Sequence, residues 1–483
     1  MFSSHNKSSN ILEKKKQEVI ENYRQNALIR KSWVEKNKYY YDYIARILRL
    51  IVEPHQKVLL MKSDLGDFLG AVEPTFGLGL DYCQELVDLA QKRYPRFVFR
   101  SADFENLELN ECFDYVLVVN LLDDIVDVCK HFKELHKLTD ERTRIVIVNH
   151  NYLWYPLLKL GERLGLKMKQ PALNWLSLDD VKNLLYLAGF EVVKGSRFIL
   201  FPKYIPVLSW VLNRIAANLP FVNKLCFLQV SIAKKIPLAL PLNAYSVSVV
   251  SPCRNEQGNI EGIVTRIPEM GKWTELILVD DKSTDDTKEE IKRFMKKFPQ
   301  KRIKLVEGPG INKARAVWAG FAQAEGDILM ILDGDLTVLP EELPYFYNAI
   351  ASQRGEFING SRMMYQMEKD AMRPFNVVGN KFFSLVFSYL LDRTVKDTLC
   401  GTKAFFRKDY KRMQKFFGGW GVEDRWGDYE LLFSASRINL KIVDLPVHYV
   451  SRTYGETKMK RRLYNASIML KMCWAAFKKF KYV

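Results

Sequence analysis

Asp333-Gly334-Asp335 closes the apolar run at residues 328–332. Two carboxylates one residue apart, where a buried strand opens into a loop, can hold a hard divalent cation against a diphosphate. Mg²⁺ or Mn²⁺ takes one or two protein carboxylates and completes its shell with phosphate oxygens. Asp-Gly-Asp is also ordinary turn chemistry, so the surroundings decide. Two further polar clusters stand at comparable places. Pro252, Asn255 and Glu256 follow the strand-like run 246–250, and Asp280-Asp281 follow the run 276–279. Ligands of α/β sheets gather at such carboxyl ends.

The elements that must position these groups are legible as alternating strand and helix. In the second half, apolar runs at 246–250, 276–279, 303–306, 328–332 and 357–359 predict strands. In the first half, runs at 58–61, 98–99, 115–119, 145–148 and 190–193 alternate with helical stretches at 83–92, 126–138 and 178–187. That rhythm is a doubly wound sheet. Five prolines between 202 and 241 break the intervening stretch into short helices. The expected division is a helical segment 1–50, a Rossmann-like domain 51–195, a basic and apolar connecting segment 196–244, a second α/β domain 245–460 and an amphipathic helix 461–483.

A chain of 483 residues with 48% hydrophobic and 13% aromatic content can fill more than one core. Its seven cysteines form no CxxC pair, and the polar, lysine-rich start carries no secretory signal, so reduced thiols in a cytoplasmic compartment are expected. The net charge of +17 is concentrated. Between Glu191 and Glu256 there are eight basic residues and no acid, and eight more follow Glu456. Both stretches are interleaved with aromatic and aliphatic side chains, which suits an anionic membrane surface better than nucleic acid. No apolar run reaches the roughly 18 residues of a spanning helix, so the expected contact is monotopic, peripheral on the cytoplasmic face.

The order of Pro252…Asn255-Glu256, then 280-DDKSTDDT-287, then Asp333-Gly334-Asp335 resembles family 2 glycosyltransferases with a GT-A fold. Residues 310–316, Gly360-Ser361-Arg362, the stretch 397–405 and Arg452…Gly455…Lys458 are similar to the polyprenol-phosphate branch of that family, the dolichyl-phosphate mannose synthase type. The resemblance covers about residues 245–460. It implies a metal-dependent, inverting transferase that takes a nucleotide-sugar donor and a polyprenyl phosphate or other lipid-linked acceptor. Asp333 and Asp335 would hold Mg²⁺ or Mn²⁺. Asp280, Asp281, Asn255, Glu256, Pro252 and Lys313 would line the nucleotide pocket. Arg362, Arg452 and Lys458 would grip phosphates, while Asp285 and Asp286 read as helix caps. A lipid phosphate is already anionic and attacks without losing a proton, so orientation and electrostatics carry the rate. A hydroxyl acceptor on a glycan or glycolipid needs a carboxylate base, for which Asp428 is the first choice and helix capping the competing role. The apolar stripe of helix 375–391, with Phe382, Phe383, Val386, Phe387 and Leu390, reads as core and as a border of a lipid path.

The first half resembles class I S-adenosylmethionine (SAM)-dependent methyltransferases over about residues 45–195. The carriers are Lys57–Met61, the acid Asp81 at the second strand, Asp103 at the third and Phe113-Asp114-Tyr115-Val116 at the fourth. The resemblance implies a Rossmann-like methyltransferase fold ahead of the GT-A nucleotide-diphospho-sugar transferase fold, with Gly66, Asp81 and Asp103 as the SAM-binding set. The family's Gly-x-Gly-x-Gly loop is here 62-KSDLG-66, with only Gly66 left. Side chains at the missing glycines would crowd the cofactor, so a retained fold without methyl transfer is expected. A bifunctional methyltransferase–glycosyltransferase is the alternative. His55 and His150 have no partner pattern and read as structural.

Overall fold

A computed structural model describes residues 2–169, 174, 176–237, 243–365, 374–452, 454–455 and 462–481. It contains two units, the first ending at Ile236 and the second running from Pro237 to Phe480.

In the first unit the apolar runs become the strands of a mostly parallel sheet, the central ones buried on both faces. These are β1 (Lys57–Met61), β2 (Phe76–Asp81), β3 (Val98–Ser101), β4 (Tyr115–Val119) and β5 (Arg144–His150), with β6 (Phe190–Phe198) and β7 (Leu228–Lys235) completing the sheet. Their order is β3-β2-β1-β4-β5-β7-β6. The first five are mutually parallel, and β7 runs antiparallel to both neighbours. Helix Lys38–Ile51 lays Tyr43, Ile44, Ile47 and Leu48 on one face of the sheet, the three- and four-residue spacing of an amphipathic helix. Phe104, Phe132 and Leu185 fill the other face.

The sheet departs from the expected division at 195. Residues 228–235, taken as part of a basic connecting segment, form the strand between β5 and β6, with Lys234 buried in it. Two lysines, Lys234 and Lys235, at the end of an eight-residue strand hid its alternation. The membrane-interface element expected at 196–244 therefore gives up residues 196–198 and 228–235 to the sheet.

The second unit is built on β8 (Val247–Cys253), β9 (Thr274–Asp280), β10 (Arg302–Glu307), β11 (Ile328–Ile331), β12 (Phe357–Ser361), β13 (Lys403–Phe406) and β14 (Ile442–Pro446). The order is β10-β9-β8-β11-β13-β12-β14, with β13 antiparallel between β11 and β12. The parallel strands β8, β9 and β11 end together, so residues 254–256, 281–287 and 333–335 leave one edge of the sheet. Because β13 is antiparallel, its first residue, Lys403, pairs with Ile331 at that same edge. This single reversal brings a lysine from far along the chain to the metal-type motif.

Helix Arg462–Phe480 is less free than an interfacial helix. Ile468, Met469, Met472, Cys473, Ala476 and Phe480 enter the core beside helix Pro374–Leu391, leaving Tyr464, Leu470 and Trp474 outside. Helix Pro374–Leu391 buries Phe383, Phe387 and Leu390, with Phe387 stacked 4.6 Å from Phe433, and exposes Val378, Phe382 and Leu385. Its stripe is thus split, core on one side and open on the other. Among the described residues no helix is long and apolar enough to cross a membrane.

Candidate active site

The acidic motif after β11 meets cations one for one. Asn312 caps helix Lys313–Ala322 by accepting from the Arg315 amide at 3.0 Å, which fixes Lys313 in the first turn. Its Nζ lies 2.5 Å from Asp333 Oδ1, and that oxygen accepts no aligned hydrogen bond beyond the ion pair. Asp335 accepts from Thr337 Oγ1 at 2.8 Å on one oxygen and from Arg452 on the other. Asp428 lies 2.6 Å from Nζ of Lys403, a fully buried lysine that also donates to the Cys400 carbonyl. Burial works against the Lys313 charge, but Asp333 and Asp428 outweigh it and hold the ammonium well above its usual range. Burial likewise pushes Asp333 up, and Lys313, with Lys403 and Arg362 behind it, brings the carboxyl below its usual range.

Gly401 makes the packing possible. A Cβ there would come within 2.3 Å of one Asp333 oxygen and 2.5 Å of Lys313 Nζ. The donor set fits a hard cation: one carboxylate oxygen without an aligned donor, a second carboxylate two residues on, and room kept by a glycine. Among the described residues no group of three or more His, Cys, Asp or Glu side chains gathers around a metal position. Two carboxylates are what Mg²⁺ usually takes from protein when phosphates supply the rest.

The expected nucleotide-side residues assemble at the ends of β8 and β9, but most of their described contacts tie loops together. Asn255, in the left-handed region at φ 56, accepts from the Thr284 amide at 2.8 Å. Asp281 accepts from the Gly310 amide at 2.6 Å, and Asp280 from the Ser283 amide at 3.3 Å. The Glu256 amide donates to Thr287 Oγ1 at 2.9 Å, and its carboxylate accepts from Asn259 at 2.7 Å. Pro252 lies within β8 opposite Val279. Asp285 accepts from the amide and hydroxyl of Thr287, whereas Asp286 makes no side-chain cap, contrary to expectation.

Three further charged residues, Asp397 and Lys403 from the motif stretch 397–405 and Asp424 from the region weighed for a base, organise the rest. Asp397 is fully buried and takes Arg362 in a bidentate pair, Nε to Oδ2 at 2.7 Å and Nη2 to Oδ1 at 2.9 Å. The edge of Arg362 expected to grip a phosphate is thus spent on a carboxylate. Asp424 accepts from the amides of Trp426, Tyr429 and Glu430 at 2.9–3.0 Å. It therefore does the capping weighed for Asp428 and leaves Asp428 to Lys403. Lys403 and Asp397 both lie in the stretch 397–405, whose motif resemblance pointed to them without giving either a role. Lys458 lies outside the described residues.

The first unit closes its own cofactor-type site. Lys62, Asp64 and Gly66 all have positive φ, at 60°, 51° and 79°. The loop keeps a glycine-type backbone at alternate positions while two of them carry long or charged side chains, at a cost of about 1–2 kcal/mol each. Those side chains are tied down. Lys62 Nζ reaches the Asn120 carbonyl and Asp124, both at 2.6 Å, and Arg30 of helix Phe2–Lys36 grips Asp64 at 2.7 and 2.9 Å. The same helix places Lys16 2.5 Å from Asp103 and the Tyr23 hydroxyl on Asp124. Asp81 accepts from the Asp64 amide at 2.9 Å, and burial pushes its carboxyl up to about 6. Gly66, Asp81 and Asp103 do come together at one sheet edge, and the chain's own cations and hydroxyl occupy it. His150, read as partnerless, has Asp123 at 3.0 Å on Nδ1 and the Tyr40 hydroxyl at 3.0 Å on Nε2.

Residues 248–414 match the model of Glycosyl transferase family 2, and residues 72–147 match that of a Methyltransferase domain. The chain therefore joins a methyltransferase-type domain to a family 2 glycosyltransferase domain. Among curated relatives, a dolichol-phosphate mannosyltransferase of Pyrococcus furiosus is 29% identical over 220 residues, 44% of this chain and 59% of the relative. An undecaprenyl-phosphate 4-deoxy-4-formamido-L-arabinose transferase of Salmonella paratyphi B is 25% identical over 232 residues, 47% of this chain and 67% of the relative. The chain thus spans about three-fifths to two-thirds of these relatives. Of solved structures, a mannosyltransferase of Pyrobaculum calidifontis in complex with GDP-Man and Mn²⁺ aligns at 20% identity and TM-score 0.36, covering 51% of this chain and 69% of its own. A SAM-dependent methyltransferase of Thermotoga maritima aligns at 14% identity and TM-score 0.36, covering 45% and 99%.

Two outcomes follow from these contacts. The Asp397 carboxyl is held at about 2 by Arg362 against its burial, below the ordinary 3.8. A depressed carboxylate stabilises the fold above its unfolded pKa and loses that contribution as pH falls through the folded one. The second unit should therefore lose about 2 kcal/mol between pH ~4 and ~2. Asp397→Asn should flatten this acid limb in pH-resolved denaturant titrations while lowering stability at neutral pH. In calorimetry, SAM should give no saturable heat with the full chain; a saturating isotherm would contradict the closed site.

Proposed function

We propose that the second unit is a metal-dependent, inverting glycosyltransferase that moves a sugar from a nucleotide-sugar donor to a polyprenyl phosphate at a membrane surface. The observation that carries the acceptor assignment is the pair Asp428–Lys403. The carboxylate that would serve as a base is already engaged at 2.6 Å by a fully buried ammonium, so it is committed to an ion pair within the fold. A hydroxyl acceptor needs such a base; a phosphate brings its own anion. The printed names of the two curated relatives, which concern dolichol phosphate and undecaprenyl phosphate, support the same class.

Asp333 and Asp335 would hold Mg²⁺ or Mn²⁺, which supplies charge neutralisation on the departing nucleoside diphosphate. Lys313 and Arg452, now on those carboxylates, are the cations within reach to turn toward the diphosphate and the acceptor phosphate. Lys458 belongs with them by its place in the motif. Asp281 and Asn255 act by fixing the loops around the nucleotide pocket. The acceptor phosphate attacks the anomeric carbon, the bond to the diphosphate breaks on the opposite side, and the configuration inverts.

Membrane contact in this unit is supported by exposed Val378, Phe382 and Leu385 on one side of helix Pro374–Leu391, with Lys381 among them, and by Trp474 and Leu470 beside Lys471. All seven cysteines are free thiols in the structure, in keeping with the cytoplasmic face. The bifunctional alternative loses support because the methyl-donor site is closed from within.

The direct test is product formation from a panel of nucleotide sugars with a short polyprenyl phosphate and Mn²⁺. Asp333→Asn should lower turnover by about a hundredfold or more with circular dichroism unchanged. The matching polyprenol, lacking the phosphate, should give no product. Transfer to the alcohol would overturn the acceptor assignment, and full turnover by Asp333→Asn the metal assignment.

A further inference from the structure

We propose that the face of the first unit formed by residues 151–169 and 199–227 docks on an anionic lipid bilayer. This goes beyond the transferase reading and does not rest on it.

Polarity in this face is inverted. Between residues 200 and 216 the buried residues are Ser209 and Asn213, 1% and 2% exposed, while Val207 and Trp210 stand at 75% and 50% and Phe221, a little further on, at 85%. An exposed cluster of large apolar groups over buried polar ones is the informative departure from ordinary burial. The buried polar groups are fully used in holding the backbone. Asn213 accepts from the amides of Leu200 and Phe201, each at 2.8 Å, and donates to Tyr39 at 3.0 Å. Ser209 accepts from the Ile205 amide at 2.6 Å and donates to the Lys203 carbonyl at 2.8 Å. The apolar tips are therefore carried on a fixed scaffold. Val207, a β-branched residue, is kept at φ 64, and residues Val211–Ile215 form a π turn. Both are strained features that persist where surrounding structure imposes them and that concentrate at functional surfaces.

The neighbouring helix Tyr155–Arg163 extends the same face. Asn151 donates to the carbonyls of Lys224 and Cys226 at 3.0 and 2.9 Å, and Trp154 Nε1 to the Leu225 carbonyl at 2.8 Å. Leu157, Leu160 and Leu164, at three- and four-residue spacing, point outward. Charge selects the partner. Residues 199–227 contain no acid, and the only acid within 151–169, Glu162, is buried and paired with Lys159 and Lys167 at 2.9 and 2.6 Å. Arg163, Lys169 and Lys224 are exposed around the apolar tips. Aromatic and aliphatic groups ringed by cations, with no competing carboxylate at the surface, match the interface of an anionic bilayer, where tips enter the headgroup boundary and cations stay at the phosphates.

The test is co-sedimentation of the full chain with vesicles of phosphatidylcholine alone or with phosphatidylglycerol added. The full chain should bind the anionic vesicles and bind more weakly as salt is raised. Arg163→Glu with Lys224→Glu should lower partitioning by roughly thirtyfold. Trp210→Ser with Phe221→Ser should lower it on anionic vesicles at every salt concentration. Turnover of a water-soluble, short-chain polyprenyl phosphate should stay unchanged in both variants, which separates docking from transfer. Wild-type binding by both variants, or no binding of the full chain to anionic vesicles, would overturn the proposal. So would light scattering that finds a dimer abolished by Trp210→Ser and Phe221→Ser, because the face would then belong to a second copy.

Discussion

The one-for-one pairing of Asp333 with Lys313, Asp335 with Arg452 and Asp428 with Lys403 is the constraint on which the second unit depends. Three carboxylates at one sheet edge repel each other and are costly to bury alone, and removing one partner from such a pair leaves an uncompensated charge. Each cation arrives from a different element: the first turn of a helix, the start of an antiparallel strand, and the loop after β14. The order of strands therefore matters as much as the motif. Were β13 parallel to β11, Lys403 would fall at the opposite edge. The arrangement is also balanced for its proposed ligands. A nucleotide sugar carries two negative charges on its diphosphate and a divalent cation two positive, so a neutral cluster receives a neutral pair. Either ligand alone leaves the cluster charged.

The first unit uses the same physics to the opposite end. Lys62, Arg30, Lys16 and Tyr23 meet Asp124, Asp64, Asp103 and again Asp124, and in doing so fill the edge where a methyl donor would lie. Lys62, Asp64 and Gly66 keep left-handed conformations at alternate positions, and the side chains of the first two are held by Asp124 and Arg30.

Much of both sheets was legible because parallel strands buried on two faces read as unbroken apolar runs, 115-YVLVV-119 and 328-ILMIL-332 being the clearest. The order of polar clusters at strand ends located the site. What escaped the sequence was long-range pairing. Arg362 reads as a phosphate ligand until Asp397, thirty-five residues on, takes its fork, and Asp428 reads as a base until β13 delivers Lys403. Strand β7 was missed because Lys234 and Lys235 resemble the basic surface on either side, although the strand is buried between β5 and β6. The N-terminal helix looked merely polar, since nothing local reveals that Lys16, Tyr23 and Arg30 face a pocket rather than solvent.

The most direct measurement of the central claim is the affinity of Mn²⁺ for the full chain, read from the spectrum of the free ion, with and without a nucleoside diphosphate present. Metal and diphosphate must each displace a cation from a carboxylate or leave a charge unbalanced, so the account predicts mutual enhancement. Mn²⁺ alone should bind weakly, the cognate diphosphate should tighten it about tenfold or more, and the metal should tighten the diphosphate by the same factor. Equal Mn²⁺ affinity in the presence and absence of every nucleoside diphosphate would contradict it.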